Sequence, residues 1–381
     1  MGFLKKSKIY FLAFILLGGC APSLIKLENY QDEFPYSQYG RTAKREFIAN
    51  KLLDSVLIEK WESSINGGFS NSSITFYDSA VFVNDLSGRI FCFSIKNGKT
   101  LGQLKFKGSI FTAPIIHNSM IIFALVSSNE NFSTLYYYDF KTGEEISAVE
   151  LRGRVTNQLL KLEDGIIVLS ENGILLKYDF DANLVWQAEL NATCHSNPAS
   201  DNSIIIFGND TGEIISVNAK SGKLIYRKNI GGPIFSGAVI YENELFIGND
   251  DGKLFSIELS SGNINWSFQT GAMIKTEAIV NEIEIFIGNL GGEFFKLSRH
   301  DAIQLWKIQT DGLLNITPLL TDEFVILPDA NKKIYLISRG AGEIVNSIDV
   351  DGRVKLNPVI KDDLLFIGYE NGNLRAYETV D

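Results

Sequence analysis

Five consecutive stretches of this chain align at a spacing of forty residues without a gap. They are "IFGNDTGEIISVNAKSGKLIY" (206–226), "FIGNDDGKLFSIELSSGNINW" (246–266), "FIGNLGGEFFKLSRHDAIQLW" (286–306), "ILPDANKKIYLISRGAGEIVN" (326–346) and "FIGYENGNLRAYETVD" (366–381). A period of this length marks stacked supersecondary units, each unable to bury its apolar surface alone. Looser copies precede them: "VFVNDLSGRIFCFSIKNGK" (81–99), "IIFALVSSNENFSTLYYYDFKTGEE" (121–145, with a longer first hairpin) and "LSENGILLKYDFDANLVW" (169–186). Eight units therefore span roughly 81–381.

The units are written in strands. In "KLFSIEL", Phe255, Ile257 and Leu259 alternate with Ser256 and Glu258, the period of two of a strand with unlike faces. Two apolar runs joined by Tyr241-Glu242-Asn243 precede it, and "NINWSFQT" follows the Ser260-Ser261-Gly262 turn. A unit of four short antiparallel strands with two apolar faces must pack against its neighbours around an axis. The expected fold is all-β: an eight-bladed β-propeller of four-stranded antiparallel blades. Composition agrees, with 45% hydrophobic residues and 33 Gly against 8 Pro, which suits many tight turns.

The columns assign roles. Gly252 and Gly262 end hairpins, where a left-handed backbone is cheap for glycine; Lys332 stands in the first of these columns and predicts a strained turn. Trp266 heads an aromatic column with Tyr226 and Trp306, placed to fill the gap between blades at a gross gain of about 4–6 kcal/mol, an upper bound. Asn249-Asp250-Asp251-Gly252 looks like the start of a calcium loop, but Asp250 becomes Leu290, Ala330 and Glu370 in later repeats, which is turn chemistry. The eighth unit stops before its aromatic strand. "VLIEKWESSI" (56–65), with Trp61, supplies it and removes the open edge.

The amino terminus reads as an export signal over residues 1–19: Lys5, Lys6 and Lys8, then an apolar run from Ile9 to Leu17 too short to span a membrane. Leu17-Gly18-Gly19-Cys20 resembles a bacterial lipobox, making Cys20 the acylated residue, with Ala21 favouring passage to the outer membrane. Residues 20–57 then form a lipidated tether with a short helix over Thr42–Asp54, and 58–381 form the propeller. Loss of residues 1–19 removes three positive charges from a chain of formal charge -10, so the body repels nucleic acid and anionic head groups. Cys92 and Cys194 are expected to be free, buried thiols.

"VNAKSGKLIY" and "IELSSGNINW" resemble the tryptophan-docking repeats of the pyrroloquinoline quinone (PQQ) propeller superfamily over nearly all of 58–381. A single eight-bladed domain behind a lipobox is, within it, similar to the BamB family. That resemblance implies a non-catalytic scaffold without cofactor, one copy in the β-barrel assembly machinery on the periplasmic face of the outer membrane. It implies binding to the POTRA domains of a BamA-like protein through loops on one face. "ELRGRVTNQ" (150–158) resembles the family's contact segment and offers Leu151, Arg152 and Arg154; one blade later, where that segment lies in the family, the chain reads "ELNATCHSNP". His195 and Lys275, like Arg353 and Lys355, fall in other connections between blades, expected on the same face. Two alternatives stand beside this reading: an anchored adaptor for another envelope complex, and a PQQ-dependent dehydrogenase. The second needs a calcium site, a catalytic Asp and commonly adjacent cysteines, and no two cysteines here are adjacent. Three histidines, His117, His195 and His300, have no metal-ligand spacing.

Overall fold

The computed structural model describes residues 24–27, 36–51, 56–65, 67–128 and 131–379. The export signal and Cys20 lie outside them. Thirty-two strands form eight four-stranded antiparallel sheets, and no helix occurs among the described residues. Blades 1 to 7 occupy 75–105, 115–152, 160–189, 199–229, 239–269, 279–309 and 319–349. Each runs from an inner strand outwards, as in blade 5: Val239–Tyr241, Glu244–Gly248, Lys253–Glu258 and Ile264–Gln269. Inner strands of neighbouring blades touch around the axis. Blade 8 joins Val354–Lys361, Leu364–Tyr369 and Asn373–Thr379 to Leu57–Ser64, so the predicted clasp forms, with Trp61 opposite Ala376.

The turn columns behave as read. Gly252 has φ 76° and Gly262 φ 71°; Lys332 is held at φ 64° in the equivalent turn and Ala302 at φ 57°. The second column carries a further demand, because a Cβ at Gly262 would lie 2.7 Å from the Tyr226 ring of the preceding blade. The aromatic column is a docking device with one repeated bond. Nε1 of Trp61, Trp186, Trp266 and Trp306 donates to the carbonyl of Ile95, Ala219, Arg299 and Arg339 in the next blade, and the Tyr226 hydroxyl donates to Leu259 O. Trp61 is buried, whereas Trp186, Trp266 and Trp306 keep one edge in solvent. Asn249 Oδ1 accepts from the backbone of Lys253 at 3.0 Å, which confirms turn chemistry at the calcium-like stretch. Cys92 and Cys194 are free and buried, and burial pushes both thiols up to about 12.

The segment read as a helical tether is different. Over 42–51 the chain is turn and extended backbone, and residues 36–51 lie against the inner strands at one end of the axis. The physical reason is the inner edge of each sheet, which presents unpaired N–H groups. Backbone N–H of Phe76, Ile116, Ser200, Ile240 and Leu320 donates to the carbonyls of Tyr36, Ser37, Ala43, Lys44 and Phe47, at 2.8–3.0 Å. A helix would have spent those carbonyls internally. Arg45 fastens this plug: it is fully buried at φ 68°, and its guanidinium donates to the carbonyls of Tyr39, Pro198 and Leu159 at 2.6, 2.9 and 3.1 Å. Burial lowers its pKa to about 10, offset by Tyr39 and Glu277, so it stays charged at neutral pH.

Candidate binding face and axial funnel

Eight connections lead from the outer strand of one blade to the inner strand of the next, and they build one face. Two residues before the inner strands of blades 1 to 7 pair, and at the matching repeat position within the inner strand of blade 8, a ring of residues surrounds the axis: Ser73, Ala113, Gln158, Asn197, Gly237, Glu277, Thr317 and Asn357. Its members are hydrogen-bonded to one another and to the plug. Asn197 Nδ2 donates to Glu277 Oε1 at 2.9 Å, the Thr317 hydroxyl to Glu277 Oε2, and Asn357 Nδ2 to the Tyr39 hydroxyl at 3.1 Å. Gly237 leaves the room: a Cβ there would lie 2.3 Å from Glu277 Oε1. Burial, then the neighbouring Glu277, holds the Tyr39 hydroxyl well above the usual phenol range. Above this ring opens a funnel of about 480 Å³ walled by Thr156, His195, Phe235, Lys275, Leu290 and Asn315.

The predicted contact residues meet different fates. Leu151 is 2% exposed and packs in the core between blades 2 and 3, because its position on the outer strand turns it inward; it is withdrawn from any contact face. Arg152 is exposed at the end of the strand Glu144–Arg152 and has no salt bridge among the described residues. Arg154 reaches the face, 3.4 Å from Glu171 and 5.8 Å from the Phe111 ring. His195 lies 2.9 Å from Asp210 and 3.9 Å from Glu171, so it bridges the turns of blades 3 and 4. Lys275 lies 2.9 Å from Asp250 and 3.7 Å from the Phe235 ring centroid. Arg353 pairs with Glu370 at 2.8 Å. Arg154, Lys275 and Arg353, with His195 beside them, thus gather on one face as struts tied to acidic turn residues. Between them stand exposed Met273 and Leu313, with half-buried Leu290 and Phe235. Column reading would have found Glu277 as the one acid in its ring; Met273 and Leu313 carry no sequence signal beyond an apolar residue in a turn.

The ring does not fit a quinone cofactor. Its carboxyl, Glu277, is already engaged by Asn197 and Thr317, the axis beneath is filled by Tyr39 and Arg45, and in the funnel Lys275 is paired with Asp250 while His195 is hydrogen-bonded to Asp210. Among the described residues no three of His, Cys, Asp and Glu converge as metal ligands.

Tryptophan-docked blades in this register define a PQQ-type repeat propeller. Within that class the chain is BamB-like: the family model described as outer membrane protein assembly factor BamB matches residues 123–233 and, overlapping, 171–283. No curated protein matches it significantly in sequence. Among solved structures, BamB from Moraxella catarrhalis is similar at 16% identity and TM-score 0.72, covering 85% of this chain and 100% of that one. A quinohemoprotein alcohol dehydrogenase from Pseudomonas putida gives 10% identity and TM-score 0.76 over 91% of this chain and 80% of its own. The computationally designed Ika8 protein gives 12% and 0.73 over 84% and 99%. At these identities the structural likeness is one of fold.

Proposed function

We propose that this protein is a non-catalytic, lipid-anchored scaffold on the periplasmic side of the outer membrane, assisting assembly of outer-membrane β-barrel proteins. The observation that carries the reading is the match of residues 123–283 to the BamB model. The lipobox ending at Cys20 supports the anchor, and a face of apolar points between tied charges supports protein binding. Arg152, Arg154, His195 and Lys275, joined by Met273 and Leu313, form the proposed surface for a BamA-like partner. Filling of the axis by the chain's own residues leaves the fold to work through its surface.

The test is cross-linking and co-purification of the Cys20-anchored protein from its own envelope, beside a soluble Cys20→Ser form. Recovery of the barrel-assembly core protein, weakened by Arg152→Glu and by Leu313→Asp, is the expected result. Capture of a different envelope complex would replace the assembly role with the adaptor reading.

A further inference from the structure

The aromatic column has a gap that the amino-terminal segment fills. Opposite Cys92, where blades 3, 5 and 6 carry Trp186, Trp266 and Trp306, blade 1 carries Gly102. Into that space comes Leu24–Leu27. Ile25 is fully buried between blades 1 and 2, among Cys92, Leu104, Tyr138 and Phe140. A Cβ at Gly102 would lie 2.8 Å from Ile25 Cα. The backbone N–H of Leu27 donates to Phe140 O at 2.9 Å. Phe140 is the blade 2 equivalent of Ile95, the carbonyl that Trp61 uses, so Leu27 replaces the indole N–H and Ile25 the ring. The Tyr138 hydroxyl closes the clamp on Ile25 O at 2.9 Å.

This docking changes the anchor. A free tether of residues 20–57 would reach up to about 130 Å, whereas the four steps from Cys20 to Leu24 reach at most about 14 Å. We infer that residues 24–27 are a clamp that holds the rim of blades 1 and 2 against the phospholipid surface, so that the propeller stands on the membrane by one edge. The inference rests on acylation of Cys20, as proposed above. The rim is suited to such a surface. Leu24 and Ile146 are 60% and 55% exposed, Leu101 stands beside Gly102, and Lys26, Lys96 and Lys99 are exposed around the clamp, with Asp139, Glu144 and Glu145 neighbouring acids among the described residues. Apolar side chains with lysines match an interface of acyl chain and phosphate.

The experiment uses the full acylated protein in vesicles of phosphatidylethanolamine and phosphatidylglycerol that contain a nitroxide-headgroup lipid as quencher. A fluorophore is placed on the Lys141→Cys variant or on His300→Cys, the equivalent turn position of blade 6 across the ring. Cys92 and Cys194 stay unlabelled because they are buried with thiols pushed up to about 12. Loss of most of the fluorescence at position 141, with little at 300, is expected. A flexible insert between Ser23 and Leu24 leaves the clamp intact and lengthens the leash, and should abolish the difference; Ile25→Asp should do the same by releasing the clamp. Equal quenching at both positions in protein whose Cys20 is acylated would overturn the clamp while keeping the anchor. Absence of acylation, read by mass spectrometry of the amino-terminal peptide, would overturn the anchor and the inference with it.

Discussion

Blades 3 to 6 and blades 1 and 2 solve the same packing problem in different ways. In the former, each groove is sealed from within the repeat, by Trp186, Tyr226, Trp266 or Trp306 docked on the next blade. Blade 1 has Gly102 and imports Ile25, while blade 2 has Ser147. Its groove is bridged by the Tyr137 hydroxyl on Asp179 O at 3.1 Å and by His117 stacked on Phe180 at 3.5 Å. A repeat that loses its docking residue does not open; the groove recruits whatever the chain can bring. The amino-terminal segment is accordingly part of the domain, twice over, as clamp and as plug.

The plug should show the largest effect. Arg45→Met leaves the carbonyls of Tyr39, Pro198 and Leu159 without their donor in a buried site, at about 3–5 kcal/mol of stability, measured by denaturant unfolding. A loss below about 1 kcal/mol would mean that residues 36–51 are dispensable. Next comes the repeat-built groove, where Trp266→Ala removes a partly exposed ring and its bond to Arg299 O for about 2–4 kcal/mol. Ile25→Ala tests the imported seal and should cost about 2–3 kcal/mol, close to the tryptophan it replaces, if the borrowed groove is packed as well as the native one.

The smallest effect distinguishes the blade 2 groove by pH. Burial, then the nearby Lys161, lowers the His117 pKa from 6.5 to about 4, so the imidazole is neutral in the fold. The unfolded chain then binds more protons between about 6.5 and 4, and stability falls as pH drops through that window. His117→Gln should flatten this part of the curve of midpoint against pH. An unchanged slope would show that the His117 stack on Phe180 does not seal the groove.

Much of this architecture was legible because it is local and repeated. The two turn columns, the aromatic column and the need of the eighth blade for a fourth strand follow from residues spaced by forty, and Trp61 could be assigned because its strand had no unit of its own. Single residues without a column were harder. The helix expected over Thr42–Asp54 does not form across its described part, since local propensity carries no knowledge of the open inner edges that take its carbonyls. Leu151 was read as a contact because residues 150–158 resemble the family's contact segment, yet alternation along Glu144–Arg152 turns it into the core.

The sequence by itself determined the number of blades, their strand order, the hairpin geometry and the closure of the ring, because each is written in short residue patterns that recur every forty positions, with the one strand missing from the last repeat supplied upstream. Only the tertiary structure decided that Ile25 stands in for a tryptophan at Gly102, that Arg45 closes the axis, and that His195 and Lys275 are tied to Asp210 and Asp250. Those contacts join residues brought together by curvature of the ring. They are selected by unpaired N–H groups, empty volume and uncompensated charge, quantities that exist only once the blades have packed.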